Sequence, residues 1–204
     1  MRVELHCHTS RYSACSTSTP EELLTAMIAA GYDAVYFTEH ATVWPQAEIA
    51  TLQAKFPAIH IFPGIELVTP TNPYEHLLIL GTSDPEYIQL ADRAEWHTAL
   101  AKARAEGHLT VLAHPCRFDG GHEMIDRHLL PDALELCTGN QCDPSMVERT
   151  LTLNRTLGLP LVHTGDTHGP DMIDRFWIET HRPLERADDI RDIVRAGDYD
   201  CCRK

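Results

Sequence analysis

The 204 residues predict a mostly parallel α/β fold, either a small barrel or a doubly wound sheet. Three observations carry that reading. Apolar, strand-like runs alternate with segments of helical period along the chain, and several helical segments bring their own start and stop signals. Histidines and carboxylates also sit where strands end, which is where such folds place their chemistry.

Val3–Leu5 opens the first strand, and a loop runs on to Ser18. Thr19-Pro20-Glu21-Glu22 reads as a helix start, with a threonine cap, an early proline and a glutamate that can bond back to the cap. Leu23, Leu24, Met27 and Ile28 form its apolar face, and Gly31 ends it. Ala34–Phe37 is the second strand; a helix over Gln46–Phe56 leads to another at Ile59–Phe62. Ile65–Val68 and Leu77–Leu80 flank the turn-rich segment TPTNPYE. The pattern then predicts the longest helix over Pro85–Glu106 and strands at Leu109–Leu112 and Ala133–Leu136. A helix over Ser145–Leu157 stops at Gly158, the last clear strand opens at Leu161–Val162, and a final helix covers Leu184–Arg195. No repeat or linker interrupts the series, so a single domain over 1–204 is expected.

Composition narrows the function. At 43% hydrophobic and 23% charged, the chain can bury a real core, yet no apolar run approaches a membrane span. The opening MRVELHCHTS enters a strand without a basic, then apolar, leader, so a cytoplasmic location is expected. Seven cysteines with no CxxC spacing suggest reduced thiols, and Cys201 and Cys202 lie in a tail expected to fray. A net charge of −13 with no Lys/Arg cluster weighs against tight binding of duplex nucleic acid. Small phosphorylated substrates stay open, because bound cations reverse the local field.

The 13 histidines are scattered, and several mark strand ends. His6 and His8, two apart on an extended chain, point to one face and can reach one metal; Cys7 between them points to the opposite face, into core. Glu39-His40 closes the second strand, Glu66 lies in or beside the next, His114 ends a fourth, and Asp166 with His168 ends the last. His76 precedes its strand. If TPTNPYE is a hairpin connection centred on Thr71, Glu66 and His76 lie opposite each other and face the same metal.

The motifs LHCHTS (5–10), TEH (38–40), GIE (64–66), EHLLILG (75–81), LAHP (112–115) and GDTH (165–168), in this order, resemble the polymerase and histidinol phosphatase (PHP) family of metal-dependent phosphoesterases. The resemblance implies a distorted seven-stranded (βα) barrel. It implies that His6, His8, Glu66 and Asp166 hold one metal, that Glu66 bridges to a second held by His76 and His114, and that His40 and His168 serve a third. Two or three divalent ions are therefore expected, with Zn, Mn or Fe equally suited to imidazole and carboxylate. Two departures bear on the third ion. Ala14, beside Cys15, stands where the family often has Asp or His, and Glu39 stands where Asp is commoner. The third ion is left weaker, ligated through Glu39 or Cys15, or absent.

Arg117, three residues after His114, is the candidate for gripping a phosphate in bidentate fashion; Arg11 and Arg175 are weaker candidates. His60, His97, His108, His122, His128 and His181 read as structural or surface residues, and His163 as buried beside the site. The expected activity is hydrolysis of a small-molecule phosphomonoester by metal-activated hydroxide, with His168 or His40 protonating the leaving group if the third ion is missing. The alternatives are a nuclease trimming short single strands, a non-catalytic metal-stabilised module, and a carbon–nitrogen hydrolase. The three lysines, Lys55, Lys102 and Lys204, end no strand, which disfavours the last.

Overall fold

The computed structural model describes residues 1–69, 72–92, 95–122 and 129–204. Among these, the strands are β1 (Arg2–Cys7), β2 (Ala34–His40), β3 (His60–Thr69), β4 (Asn72–Leu80), β5 (Leu109–Ala113), β6 (Ala133–Cys137), β7 (Leu161–His163), β8 (Phe176–Thr180) and β9 (Tyr199–Arg203). They form one sheet in the order β7-β6-β5-β4-β3-β2-β1-β8-β9. The helices are α1 (Pro20–Ala29), α2 (Gln46–Lys55), α3 (Glu86–Asp92), α4 (Trp96–Glu106), α5 (Pro144–Leu157) and α6 (Asp189–Ala196).

The sheet is nearly closed. Its two edge strands, β7 and β9, face each other and are joined through side chains: Tyr199 Oη donates to the Leu161 carbonyl at 2.7 Å, and the His163 ring to that of Cys202 at 3.0 Å. The expected seven-stranded (βα) repeat is not what forms, because β8 and β9, with α6 between them in the chain, add an extra antiparallel pair beside β1. Cys201 and Cys202, expected to fray, belong to β9. Nor is the sheet mostly parallel. β1, β2 and β3 run parallel, as do β5, β6 and β7, while β4 is antiparallel to both neighbours. A short hairpin connection allows no other orientation, since parallel neighbours need a long crossover.

Two helices differ from expectation. Pro85–Glu106 splits into α3 and α4. Tyr87 and Trp96 are nine residues apart, about two and a half turns, so one continuous helix would place them on opposite faces. Broken, the segment buries both in the layer outside β3–β6, with Ile65, Leu77, Ile79 and Leu112. The final helix starts later than expected, at Asp189, and lays Ile190, Ile193 and Val194 against Val3, Ala34, Leu109 and Ala133. These are residues near the starts of parallel strands, so α6 covers the end of the barrel opposite the strands' carboxyl ends. The Thr19 capping box forms as expected, the hydroxyl accepting from the Glu22 amide and the Glu22 carboxylate from the Thr19 amide.

β1 changes face along its length. Val3 and Leu5 join the cluster with α6, whereas Cys7 joins Leu23, Met27, Phe37 and Trp44 under α1 and α2. A register shift between Glu4 and Cys7 accounts for the switch. Such a bulge re-aims the side chains that follow it, here His6 and His8. Among the described residues, no helix is long and apolar enough to cross a membrane.

Candidate metal centre

Glu66 is the hub. Fully buried at the middle of β3, it presents one carboxylate oxygen to each of two groups of imidazoles. Its Oε1 lies 2.7 Å from His76 Nδ1 and 3.3 Å from His114 Nε2. Its Oε2 lies 2.9 Å from His40 Nδ1, 3.1 Å from His8 Nε2 and 3.3 Å from His6 Nε2. Asp166 Oδ1 stands 3.4 Å from His6 Nε2 and 3.5 Å from His8 Nε2. The eight side chains His6, His8, His40, Glu66, His76, His114, Asp166 and His168 thus share one pocket.

His76 reaches Glu66 along a different pairing from the expected one. In the β3–β4 ladder Glu66 faces Leu78, and His76 faces Val68, so the two ligands are diagonal neighbours on one face. A register irregularity after Val68 shifts the pairing. The hairpin tip, residues 70–71, where Thr71 is the expected centre, lies outside the described residues, as does His128. His76 does not precede its strand, as expected, but lies at the middle of β4, because that strand begins earlier, at Asn72. As β4 is antiparallel, its first half falls at the same end of the barrel as residues ending parallel strands, and His76 pairs with Ala113, the last residue of β5.

Whether cations fit is answered by the lone pairs. Glu135, fully buried, accepts from His6 Nδ1 at 2.8 Å, which puts that ring's proton on Nδ1 and its lone pair on Nε2. His8 Nδ1 faces Ser13 Oγ at 3.3 Å; that hydroxyl already donates to Glu39, so it accepts from the ring. His8 Nε2 therefore also carries a lone pair, 3.0 Å from His6 Nε2. Two lone pairs in such contact repel unless a cation or a proton lies between them. Burial alone would lower the His6 and His8 pKa values; the Asp166 and Glu66 carboxylates, joined at His6 by Glu135, outweigh it, pushing His6 well up and His8 to about 9. Burial in turn raises Glu66 and Asp166, but the surrounding histidines hold both well below the carboxylate range. Among the described residues, Glu66 Oε2, His40 Nδ1 and His114 Nδ1 are buried without a hydrogen-bond partner. The pocket is short of positive charge, and its donor set of imidazole and carboxylate suits divalent ions.

Backbone strain gathers at the same place. His114 (φ 29°), Asp166 (φ 47°) and Ala41 (φ 47°) adopt left-handed conformations without being glycine, each costing about 1–3 kcal/mol and persisting only where neighbours impose it. His114 is held by its amide, which donates to Glu135 at 2.7 Å. Gly165 is required for packing: a Cβ there would collide with the Glu4 carboxylate and the Thr167 hydroxyl.

Glu39, expected among the ligands, is used otherwise. Its carboxylate accepts from the Thr9 amide and hydroxyl, Ser13 Oγ and Trp44 Nε1, which leaves it no open face toward the cluster. It acts on His8 through Ser13. Arg117 stands at the rim, one third exposed, with Nη1 3.7 Å from Asp166 Oδ2 and its guanidinium over the Phe118 ring. Arg11 pairs with Glu48 and Arg175 with Asp171, so neither points at the pocket. His163 serves the seam between β7 and β9.

Sequence reading missed the buried carboxylates behind the ligands. Glu135 also accepts from Thr164 Oγ1 at 2.7 Å; Glu4 accepts from the amides of His6 and Gly165. The signal was present: a glutamate inside each of the apolar strands VELHC and ALELC. Asn140, which donates to Asp166 Oδ2 at 2.6 Å, carried no such mark.

A family model for the PHP domain matches residues 4–114, more than half of the chain. The chain belongs to the PHP domain family. No curated protein matches it. Among solved structures, it is similar to a two-domain protein from Bacteroides vulgatus containing a predicted PHP-like metal-dependent phosphoesterase, with TM-score 0.69 and 16% identity over 100% of this chain and 64% of that one. A candidate metal-dependent phosphoesterase from Bifidobacterium adolescentis aligns with TM-score 0.60 and 17% identity, over 94% of this chain and 95% of the other. The lesion-specific endonuclease EndoQ from Pyrococcus furiosus aligns with TM-score 0.66 and 14% identity, over 98% of this chain and 57% of that one. At these identities the likeness is one of fold. The chain spans less than two thirds of the first and last of these structures.

Proposed function

We propose that this PHP domain is a metal-dependent phosphoesterase that hydrolyses small-molecule phosphomonoesters. One juxtaposition supports the reading above the rest: a permanent cation, Arg117, stands at the mouth of a buried pocket built to hold divalent ions. His6, His8, Asp166 and Glu66 Oε2 would hold one ion, and Glu66 Oε1, His76 and His114 a second. Divalent ions in such a pocket polarise a phosphoryl group and lower the pKa of water.

The chain's own groups supply the rest. At 3.7 Å the Arg117–Asp166 pair is longer than a hydrogen bond, and Asn140 already donates to the same Asp166 oxygen. Most guanidinium donors are thus left for phosphate oxygens, which they meet in a fork geometry. His40 and His168 are partly exposed at the mouth and, where no third ion binds them, can hold a proton for the departing alkoxide. The His168 Nδ1 proton is spent on the Asp166 carbonyl at 2.7 Å, so Nε2 is the atom that would act.

The test is metal analysis of the purified protein followed by a phosphatase screen with Mn, Zn and Fe. Phosphate release from monoesters, abolished in His8→Ala and Asp166→Ala, is expected. Shortening of oligonucleotides without release from monoesters would replace this reading by a nuclease. Activity unchanged in both variants would remove the site.

A further inference from the structure

The turn that follows β6 sets two cysteines opposite each other. Thr138 and Gln141 exchange both backbone hydrogen bonds: the Thr138 amide donates to the Gln141 carbonyl at 3.0 Å, and the Gln141 amide to that of Thr138 at 3.3 Å. Gly139 and Asn140 form the two-residue turn between them, tightened by the Asn140 amide, which donates to Thr138 Oγ1 at 3.0 Å. One residue outward from a pair that exchanges both bonds stands a pair that exchanges none, with Cα atoms about 4.5 Å apart and side chains close together. Here that outer pair is Cys137 and Cys142. Disulfides span Cα separations of about 4.4–6.8 Å, so the spacing admits one. The proximity also shows in the Cys137 thiol, whose pKa is pushed up by burial first and by Cys142 next.

This turn is fastened to the metal centre. Asn140 Nδ2 donates to Asp166 Oδ2 at 2.6 Å, and the Gly139 amide to the Gly165 carbonyl at 2.9 Å. Gln141 Oε1 accepts from the Cys116 amide at 2.7 Å. The turn therefore joins the loop that carries Asp166 to the loop after β5, which carries His114 and Arg117. Its two sulfurs differ in access: Cys142 is exposed and Cys137 buried. An oxidant from solution meets Cys142 first. Cys201, the other thiol near Cys137, is engaged by the Leu161 carbonyl, to which it donates at 3.3 Å.

We propose that Cys137 and Cys142 form a dithiol modification site, which a small-molecule disulfide such as oxidised glutathione converts into an internal disulfide that braces this turn. The Cys142 thiolate attacks one sulfur of the small disulfide; that S–S bond breaks, one small thiolate leaves, and Cys142 carries a mixed disulfide. The Cys137 thiolate then attacks Cys142 Sγ, and the second small thiolate leaves as the Sγ–Sγ bond forms. Two protein thiols are oxidised, one small disulfide is reduced to two thiols, and the two protons released by the protein end on them. Because the cysteines already stand opposite each other, closure leaves Asn140 on Asp166. The bond stiffens the metal centre without dismantling it. This inference goes beyond the phosphatase reading and does not depend on it.

The experiment uses the full chain, stripped of metal, reduced, incubated with oxidised glutathione, then alkylated in denaturant and mapped. In wild type, the tryptic peptide 128–149 is expected to escape alkylation and to be lighter by two hydrogens. Cys137→Ser is expected to stop at the mixed disulfide on Cys142, Cys142→Ser to leave Cys137 free for alkylation, and Cys201→Ser to behave as wild type. Cys142 is exposed, so its replacement leaves the fold intact. For so short a closed loop, oxidised wild type is expected to melt about 4–8 °C above the reduced protein, a difference absent from Cys142→Ser. Zinc affinity after reloading, measured by chelator competition, is expected to be the same in both forms. Alkylation of both cysteines in wild type, or a bond from Cys137 to Cys201 instead, overturns the proposal. A disulfide that forms but weakens zinc binding overturns the brace. A chain that binds no zinc in either form removes the metal-dependent reading, and the peptide map still decides this one.

Discussion

Replacing Glu135 with glutamine tests how this pocket aims its ligands. The carboxylate is wholly buried and accepts three hydrogen bonds: His6 Nδ1 at 2.8 Å and Thr164 Oγ1 at 2.7 Å on one oxygen, the His114 amide at 2.7 Å on the other. An amide has one acceptor oxygen. If it faces His6 and Thr164, its NH2 meets the His114 N–H, donor against donor. If it is flipped, His6 and Thr164 both lose their acceptor, and the His6 proton is free to move to Nε2, erasing the lone pair needed for an ion. The first arrangement costs less. It leaves one buried amide unpaired, about 1–3 kcal/mol of stability, at a residue whose backbone already sits in a strained conformation (φ 29°). Losing a partner that orients a ligand typically costs about 10–100-fold in metal affinity. Competition against a chromophoric chelator measures that loss, and chemical denaturation of the stripped protein measures the first. Thr164→Val, which removes a single donor, should give the same effects in smaller measure. Glu135→Gln with wild-type zinc affinity and wild-type stability would refute the claim that this carboxylate sets the His6 tautomer.

The remaining predictions are shorter. On the proposed reading, Arg117→Ala would remove a charge-assisted phosphate contact worth about 1.5–3 kcal/mol, so kcat/KM on the best monoester should fall about 10–150-fold while bound metal is unchanged; steady-state kinetics with metal analysis checks it. Gly165→Ala drives a methyl into Glu4 and Thr167 and should lower the melting temperature and the metal content together, by about 1–3 kcal/mol of stability for an overpacked site. Burial lowers the His163 pKa, the hydrogen bond to the Cys202 carbonyl does not reverse this and Arg203 adds to it, so the folded state favours the neutral ring. The stability this contributes is present above the ordinary histidine range and lost as pH falls through it; denaturation from pH 8 to 5 should show a shallower acid loss in His163→Gln than in wild type. Chelation should lower the melting temperature of wild type, since ligands bound only by the folded state add about 2.7 kcal/mol at a hundredfold excess over Kd. A melt unmoved by chelator, in a protein shown to contain metal, would contradict a Glu66-centred site.

What the linear chain determined here was a set of residues and an end of the molecule. Alternation placed most of the strands and helices, and His6, His8, His40, Glu66, His114, Asp166 and His168 could be recognised because each ends or lines a strand, a property of local sequence. The tertiary structure decided which of those residues meet, and how. β8 and β9 carry weak strand patterns and exist as strands because they pair with each other and with β1. α3 and α4 separate because Tyr87 and Trp96 must both reach one apolar layer. Glu39 and Glu66 are alike in type and position, each a buried glutamate on one of two adjacent parallel strands. Only the packing of Thr9, Ser13 and Trp44 around Glu39 withdraws it from the pocket, while Glu66 is left bare among imidazoles. Periodicity reports which face of its own element a residue occupies; which neighbour meets that face is settled by contacts between segments far apart in the chain.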